Sequence, residues 1–313
     1  MLATERREIG RFEEHTLPDG AVVYFEPEKH AYYGEIKENP KSKGGYSFVR
    51  DSRLTGVSGI AKFIDPNADP LMHWAAKLDQ IGIARLASAA IAAGGDLTWL
   101  CEQESIKAAL YDGEATWMHE RDRAAERGTN VHERIFLALA AGDTPPSLAD
   151  LSGEERGYGQ GVFAWWSERS PEPLAAEQVT VSLTRRFAGR FDLLADVDKG
   201  DLVDVPDWVA DRIGAVETET VRLLVDAKTR EKGKVRKSDH VQLPGYETAN
   251  RECGIGPSDL QLALILMPDG TYREEWCVGT ETEFNSALLA CQSGKHLEKR
   301  MREAEKARKA VAA

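Results

Sequence analysis

The strongest constraint on the fold is a change in sequence pattern near residue 170. Residues 70–141 are rich in Ala and Leu and include a Gly94-Gly95 pair, which is typical of helices with a stop signal. After residue 170 come AAEQVTVSLTRRFAGRFDLLADV and VRLLVDAKT, whose apolar and β-branched residues predict strands. The segment LQLALILMPDGTYREEWCVG predicts a hairpin with a Pro-Asp-Gly turn. The chain therefore combines helices with a sheet.

The length of the chain limits its domain organisation. With 313 residues, 42% of them hydrophobic, it can form one large domain or two ordinary ones. We predict one domain over residues 1–290, made of a β-rich lead-in (1–60), a helical region (61–130) and a core (131–290). A basic C-terminal helix over 291–313 follows.

The net charge excludes one class of function. A formal charge of −12 argues against a protein that coats nucleic acid with its whole surface. A local basic groove stays compatible with this charge, because a phosphate responds to charges within roughly 10 Å at ordinary salt.

The cysteines and the apolar segments indicate the compartment. The four cysteines are widely spaced and form no CxxC motif, which favours a reducing compartment over a disulfide framework. The first residues show no signal peptide, and no apolar run approaches the roughly 20 residues that span a bilayer. We therefore expect a cytoplasmic protein without a membrane partner.

Four polar residues interrupt or adjoin apolar segments. They are His132, Glu177, Asp192 and Asp226. An unpaired charge in such surroundings costs several kcal/mol, about 2 to 7 for a polar group, so these side chains need a partner. A divalent cation can hold several carboxylates at once, and oxygen ligands with one imidazole suit Mg²⁺ or Mn²⁺ better than zinc. For His132 we predict a place in the first turn of a helix that Asn130 caps.

The DAK segment adds a lysine to this set. Asp226 and Lys228 are two residues apart on a predicted strand, so they project from one face, whereas Ala227 points into packing. A metal-binding carboxylate beside an ammonium group suits phosphodiester hydrolysis, because the lysine can orient water or balance charge in the transition state.

A basic run follows directly. Six of the ten residues 228–237 are basic, in an acidic chain. We interpret this run as a local docking rim for DNA phosphates beside the acidic site. The candidate substrate-contacting residues here and on the preceding strand are Arg190, Arg230, Lys232 and Lys234.

The ordered motifs resemble those of the PD-(D/E)XK nuclease superfamily. They are His132 in GTNVHE, Glu177 in AAEQVTV, GRFD at 189–192, DAK at 226–228 and QLPGY at 242–246. The RecB-like and lambda-exonuclease-like branch, common in bacteriophages, is the most similar in pattern, and the resemblance spans about residues 125 to 250. HAYYG and RLTGVSGIAKFI resemble the lead-in of phage members.

The resemblance implies an α+β fold with a central mixed β-sheet flanked by helices. The metal ligands that it implies are His132, Asp192, Asp226 and the Ala227 carbonyl, with Glu177 as a ligand to a second ion or as a neighbour of the ligands. Lys228 would be the catalytic lysine. Gln242 and Tyr246 would contact substrate or orient the lysine.

Three features depart from the family pattern. Pro244 lies between Gln242 and Tyr246, so the helix there either starts close to Gln242 or is kinked. The cysteines lack the tight C-terminal spacing of the iron–sulfur clusters found in some relatives, so we predict no cluster. The acidic segment 199–220 is long for a simple hairpin and is interpreted as an insertion, a flap or a partner-binding element.

The leading hypothesis is a metal-dependent DNA exonuclease that serves phage recombination, replication or repair. One alternative is an endonuclease of restriction or repair type on the same core, because the motifs do not separate the two. A second alternative is a non-catalytic DNA-binding protein that keeps the fold. Besides DNA, the partners considered are a single-strand annealing protein, which the resemblance alone suggests, and a second copy of the chain.

Overall fold

A large mixed β-sheet organises the protein. The computed structural model describes residues 5–49, 51–64 and 68–312. The strands are β1 Glu5–Ile9, β2 Phe12–Thr16, β3 Val22–Glu26, β4 Ala31–Tyr33, β5 Ile36–Glu38, β6 Tyr46–Phe48, β7 Arg53–Gly56, β8 Glu172–Ser182, β9 Phe187–Asp198, β10 Thr220–Thr229, β11 Leu260–Leu266 and β12 Tyr272–Trp276. Ten of these strands form the sheet, and β5 pairs with β6 separately.

The sheet mixes parallel and antiparallel pairs. Its order is β1-β2-β3-β4-β7-β9-β10-β11-β12, and β8 pairs with β9 outside this path. The β7–β9 and β10–β11 pairs are parallel, whereas the other pairs are antiparallel. The expectation of a mixed sheet flanked by helices is therefore confirmed, and the predicted β-rich lead-in contributes strands to the same sheet.

Nine α-helices lie in the described residues. They are α1 Val57–Ala61, α2 Ala68–Ala92, α3 Gln103–Asp112, α4 Trp117–Val131, α5 Leu137–Ala141, α6 Gly153–Arg169, α7 Asp207–Ala215, α8 Lys237–Glu252 and α9 Glu281–Ala312. None of the helices in the described ranges is both long and apolar enough to cross a membrane.

The chain divides into two compact units. The larger contains the described residues of 1–65 and 132–313, and the smaller lies within 66–131. The smaller unit holds α2, α3 and α4, which correspond to the helical region expected at 61–130.

The central strands are buried on both faces. Leu223, Leu224 and Val225 of β10 are fully buried, which explains the continuous apolar run in this strand. On one face, α8 and α9 contribute residues such as Leu243 and Phe284 to the main core. On the other face, α6 contacts β11 and β12, and its Ser152 N-cap forms a capping box.

Helix α8 contains Pro244 in its interior. The helix begins at Lys237, so of the two alternatives a start close to Gln242 is wrong. A proline cannot donate to the carbonyl four residues earlier, which here belongs to His240. The Cys277 thiol donates to that oxygen instead, at 3.1 Å. The adjacent Gly245 lets the Phe284 ring of α9 approach, because an added Cβ would lie 2.3 Å from a ring carbon.

Two further segments contain helices. The 199–220 segment between β9 and β10 folds into α7, whose Val209 and Ile213 are buried. The C-terminal helix begins at Glu281, so the basic part predicted over 291–313 is the continuation of a helix whose Phe284, Ala287 and Leu288 pack into the main core with a helical spacing.

Candidate metal centre

The site forms where β9 and β10 separate. These strands pair from Thr220 with Asp198 to Val225 with Leu193, and the next opposing positions are Asp226 and Asp192. β10 continues beyond this point beside β11 alone, while β8 covers the other edge of β9. We call the residues at this separation, Asp192 and 226–228, the fork.

The side chain of Asp192 takes the place of a missing backbone partner for β10. Its Oδ2 accepts a hydrogen bond of 2.6 Å from the Ala227 N–H, a group that a paired β9 would otherwise engage. Both fork carboxylates are buried, with exposed fractions of 7% for Asp192 and 1% for Asp226. Their place at the end of the β9–β10 ladder therefore fixes two acidic groups side by side.

Glu177 of β8 lies opposite Asp192 of β9, between the pairs Ala176–Leu193 and Gln178–Phe191. Its φ of 47° is in the left-handed region, which costs a residue other than glycine about 1 to 2 kcal/mol. Such strain is common where a side chain must be held in a functional position.

Arg190 is held at the site by two contacts. Its Nε lies 2.9 Å from Glu177 Oε2. Its guanidinium also lies 5.7 Å from the centre of the Phe25 ring. The side chain is about one-third exposed, so one face remains accessible to a substrate.

His132 completes the cluster from a π-helical turn. The expectation that Asn130 caps a helix is wrong, because Asn130 lies inside α4 and the turn His132–Phe136 follows that helix directly. Such turns are frequent at functional sites. The Nδ1 of His132 lies 3.3 Å from Asp192 Oδ1 and 3.6 Å from Glu177 Oε1. Burial alone would lower the pKa of His132, but these carboxylates outweigh it and raise that pKa to about 10.

Lys228 and Asp226 share one face of β10, as predicted. Nζ of Lys228 lies 2.5 Å from Asp226 Oδ2. Burial raises the pKa of Asp226 to about 6, and the neighbouring Asp192 adds to this rise while Lys228 opposes it. Burial would lower the pKa of Lys228, but Asp226 and Asp192 outweigh that effect and raise it. The lysine is therefore a charged group at the fork.

Gln242 and Tyr246 support the fork from α8. The amide of Gln242 donates to Asp226 Oδ1 at 3.3 Å and to the Tyr246 hydroxyl at 2.6 Å. It also reaches Ser58 Oγ at 3.1 Å, and sequence reasoning did not single out that serine. The glycine of the GRFD motif fits this arrangement, because a Cβ on Gly189 would lie 2.5 Å from the Tyr246 ring.

The basic loop divides into held and exposed residues. Arg230 is mostly buried, and its Nη2 lies 2.9 Å from Asp239 Oδ1, so its charge is paired within the protein. Lys232 and Lys234 are exposed. Of the four candidate substrate contacts, the two lysines are thus open to a ligand, Arg190 is partly open and Arg230 is engaged.

The cluster could hold a divalent cation. Ligand atoms of His132, Glu177 and Asp192 lie within 4.8 Å of one another. Two carboxylate oxygens, Glu177 Oε1 and Asp226 Oδ2, are buried without a hydrogen-bond partner among the described residues. Each of these oxygens nevertheless lies beside a cationic group: Glu177 Oε1 is 3.6 Å from His132 Nδ1, and Asp226 Oδ2 is 2.5 Å from the Lys228 ammonium nitrogen. Three carboxylates with one imidazole suit Mg²⁺ or Mn²⁺, and a bound cation would offset the cost of burying these charges.

The four cysteines are not members of this cluster. Cys253, Cys277 and Cys291 are buried free thiols in the main core, and Cys101 is exposed in the smaller unit. Burial raises the pKa of Cys277 to about 12. The three buried thiols therefore belong to the packed core, and the Cys277 thiol also donates to the His240 carbonyl.

Comparison with known proteins gives no family assignment. No protein-family model matches the chain, and no curated protein matches it. Membership of the PD-(D/E)XK superfamily therefore stays a prediction that rests on the motifs and on the geometry of the fork.

Proposed function

We propose that the protein is a metal-dependent DNA nuclease of the PD-(D/E)XK type. The observation that carries this proposal is the fork itself. It gathers the carboxylates of Asp192 and Asp226 and the ammonium group of Lys228 beside Glu177 and His132, and ligand atoms of His132, Glu177 and Asp192 lie within 4.8 Å of one another. Neighbouring buried carboxylates are costly, so their presence together favours a site where a bound cation compensates their charge.

Five groups are the proposed ligands of one or two ions. They are His132, Asp192, Asp226, the Ala227 carbonyl and Glu177. A bound Mg²⁺ or Mn²⁺ would lower the pKa of a coordinated water and polarise the phosphodiester.

Lys228 is the proposed catalytic lysine. Asp226 holds its ammonium group in place, and about one-fifth of the side chain is exposed. The group can therefore donate a hydrogen bond to the attacking water or to a phosphoryl oxygen that gains charge in the transition state. Asp226 and Lys228 project from the same face of β10, so the strand itself brings the carboxylate and the ammonium group together.

The α8 residues position this machinery. Gln242 donates to Asp226 and to Tyr246, so it fixes the carboxylate that holds the lysine. Arg190 is held by Glu177 near the Phe25 ring, and its accessible face is the proposed contact with a DNA phosphate. Lys232 and Lys234 add exposed charge near the end of the same strand.

Within this class, the exonuclease is the leading hypothesis, with a role in recombination, replication or repair and a single-strand annealing protein as the proposed partner. The test is digestion of linear duplex, linear single-stranded and closed circular DNA, with Mg²⁺, with Mn²⁺ and with EDTA. Lys228→Ala is the inactive variant, and Arg222→Ala, at the other end of the same strand, is the matched control.

The outcomes separate the alternatives. Metal-dependent loss of linear DNA that spares circles and disappears only in Lys228→Ala supports the exonuclease. Cleavage of circles assigns an endonuclease on the same core. DNA binding without cleavage under either metal contradicts the enzyme and leaves a binding protein.

A further inference from the structure

A basic groove lies on the larger unit, away from the fork. It has a volume of about 610 Å³ and is bordered by β7, by the turn between β8 and β9, and by α9. Its polar lining includes Arg53, Arg185, Arg186, Gln292, Lys295 and His296. No acidic residue of the described chain lines it, although the chain has 52 acidic and 40 basic residues. The groove is therefore a locally basic surface on a protein whose formal net charge is −12.

The charges in this groove are of two kinds. Arg185 is neutralised inside the protein, because its guanidinium lies 3.0 Å from Glu252 and 2.7 Å from Glu281. The other charges are Arg53, Arg186 and Lys295, and none of them forms an ion pair with a carboxylate among the described residues. These three charges are available to an external anion.

Two of the three available charges are held in position by neutral groups. Arg186 donates to the carbonyl of Asp51, while the carboxylate of Asp51 lies 3.9 Å from Lys299. Lys295 of α9 donates to Thr55 Oγ1 of β7 at 2.8 Å. These contacts reduce the motion of the two side chains without cancelling their charge, which lowers the entropy that an incoming anion would otherwise have to remove.

The groove is connected to the fork by β9. Its turn ends at Arg186, directly before Phe187 at the start of that strand, and Thr55 pairs with Phe187. Asp192 lies five residues further along β9, which corresponds to about 17 Å. Along a duplex this distance equals about five phosphates of one strand, at 3.4 Å each.

We infer that this groove binds the phosphate backbone of a DNA strand whose scissile bond lies at the fork. The inference rests on the proposed nuclease function for the identity of the ligand. The three available charges match successive phosphates better than one small anion, because they come from β7, the β8–β9 turn and α9 and line an open groove.

The test is the salt dependence of DNA binding. A triple variant, Arg53→Gln, Arg186→Gln and Lys295→Gln, is compared with the parent by fluorescence anisotropy on a labelled linear duplex. Both proteins carry Lys228→Ala so that binding is measured without cleavage. Each phosphate contact contributes about 0.9 to the slope of log K against log salt, so the triple variant should lose about 2 to 3 from that slope.

Two controls keep the result interpretable. Lys37→Gln, Lys41→Gln and Lys43→Gln remove the same charge from exposed positions elsewhere on the larger unit and should leave the slope unchanged. A charge-preserving triple, Arg53→Lys, Arg186→Lys and Lys295→Arg, should restore the slope, which distinguishes lost phosphate contacts from damaged folding.

A second measurement tests the position of the groove. Ethylation of a single phosphate about five positions from the scissile bond should weaken binding by the parent and leave the groove triple unaffected. An unchanged salt slope in the groove triple, or an equal loss in the control triple, would overturn the inference.

The two proposals fail separately. A parent protein that cleaves DNA, with a groove triple that binds like it, contradicts the groove and leaves the nuclease. A parent protein that never cleaves but shows a groove-dependent salt slope contradicts the nuclease and leaves the groove.

Discussion

The carboxylates at the two ends of the paired β9 and β10 segment have different neighbours. At one end, Arg222 reaches both oxygens of Asp196, at 2.9 and 3.1 Å, so the carboxylate is satisfied within the protein. At the fork, the buried carboxylates of Asp192 and Asp226 lie at neighbouring positions, and the Lys228 ammonium contacts Asp226 Oδ2 at 2.5 Å. The same two strands thus carry an isolated ion pair at one end and a cluster of adjacent buried carboxylates at the other, and only the cluster has the ligand set of a metal site.

Glu274 is another carboxylate whose two oxygens both accept hydrogen bonds, and it is more buried than Asp196. Its oxygens accept from Trp165 Nε1 at 2.9 Å, Arg169 Nε at 2.8 Å and Arg169 Nη2 at 3.1 Å. Both charged side chains are only about one-tenth exposed. A buried carboxylate with this many donors holds α6 to β12 and has little capacity left for a ligand.

The largest expected effect is on stability at Glu274. Glu274→Ala leaves the buried Arg169 charge unpaired, which should cost about 3 to 5 kcal/mol in the free energy of unfolding. The neighbouring Glu275→Ala removes a more exposed carboxylate and should cost about 1 kcal/mol or less. Urea denaturation measures both, and equal losses would contradict the structural role of Glu274.

The next effect is on catalysis at the fork. Lys228→Ala should lower the initial rate of cleavage of linear duplex DNA by about 10²- to 10³-fold, because a positioned donor to the transition state is lost. Arg222→Ala, on the same strand, should keep a rate close to that of the parent. A cleavage rate in Lys228→Ala equal to that in Arg222→Ala would argue against the proposed role of the fork.

A steric change inside the motif should have a smaller effect. Gly189→Ala places a Cβ 2.5 Å from the Tyr246 ring, and overpacking of this kind costs about 1 to 3 kcal/mol. Because the ring causes the clash, combining it with Tyr246→Ala should give a total loss smaller than the sum of the two single losses. Thermal denaturation of the three variants tests this, and additive losses would show that the ring is not responsible.

The smallest expected effect concerns the strained backbone of Glu177. Glu177→Gly relieves the left-handed φ and should be more stable than Glu177→Ala by about 1 kcal/mol. Ala176→Gly, one residue earlier on β8, should instead lose about 0.5 to 1 kcal/mol. The comparison is made by chemical denaturation without added metal. A Glu177→Gly variant less stable than Glu177→Ala would refute the strain.

Much of the core followed from local patterns. Strands β8 to β12 were predictable because apolar runs, alternation and turn residues are encoded in adjacent residues. The placement of Asp226 and Lys228 on one face followed from the period of a strand alone.

Features that depend on distant residues were not predictable. Asn130 has the sequence of a helix cap, but α4 runs through it, and a local capping pattern does not exclude an earlier helix start. Pro244 lies within α8 because a thiol from another element, Cys277, accommodates the free carbonyl. The contact of Ser58 with Gln242 and the pairing of Arg230 with Asp239 likewise arise only in the folded chain.

The most direct test of the central claim is Mn²⁺ binding, measured by titration calorimetry on the parent and on two variants of one strand. The parent should bind one or two ions per chain. Asp192→Asn should weaken binding by at least about 10- to 100-fold, whereas Asp196→Asn should bind as the parent does. Equal binding by Asp192→Asn and the parent, or no binding by the parent, would contradict the claim that the fork is a metal site.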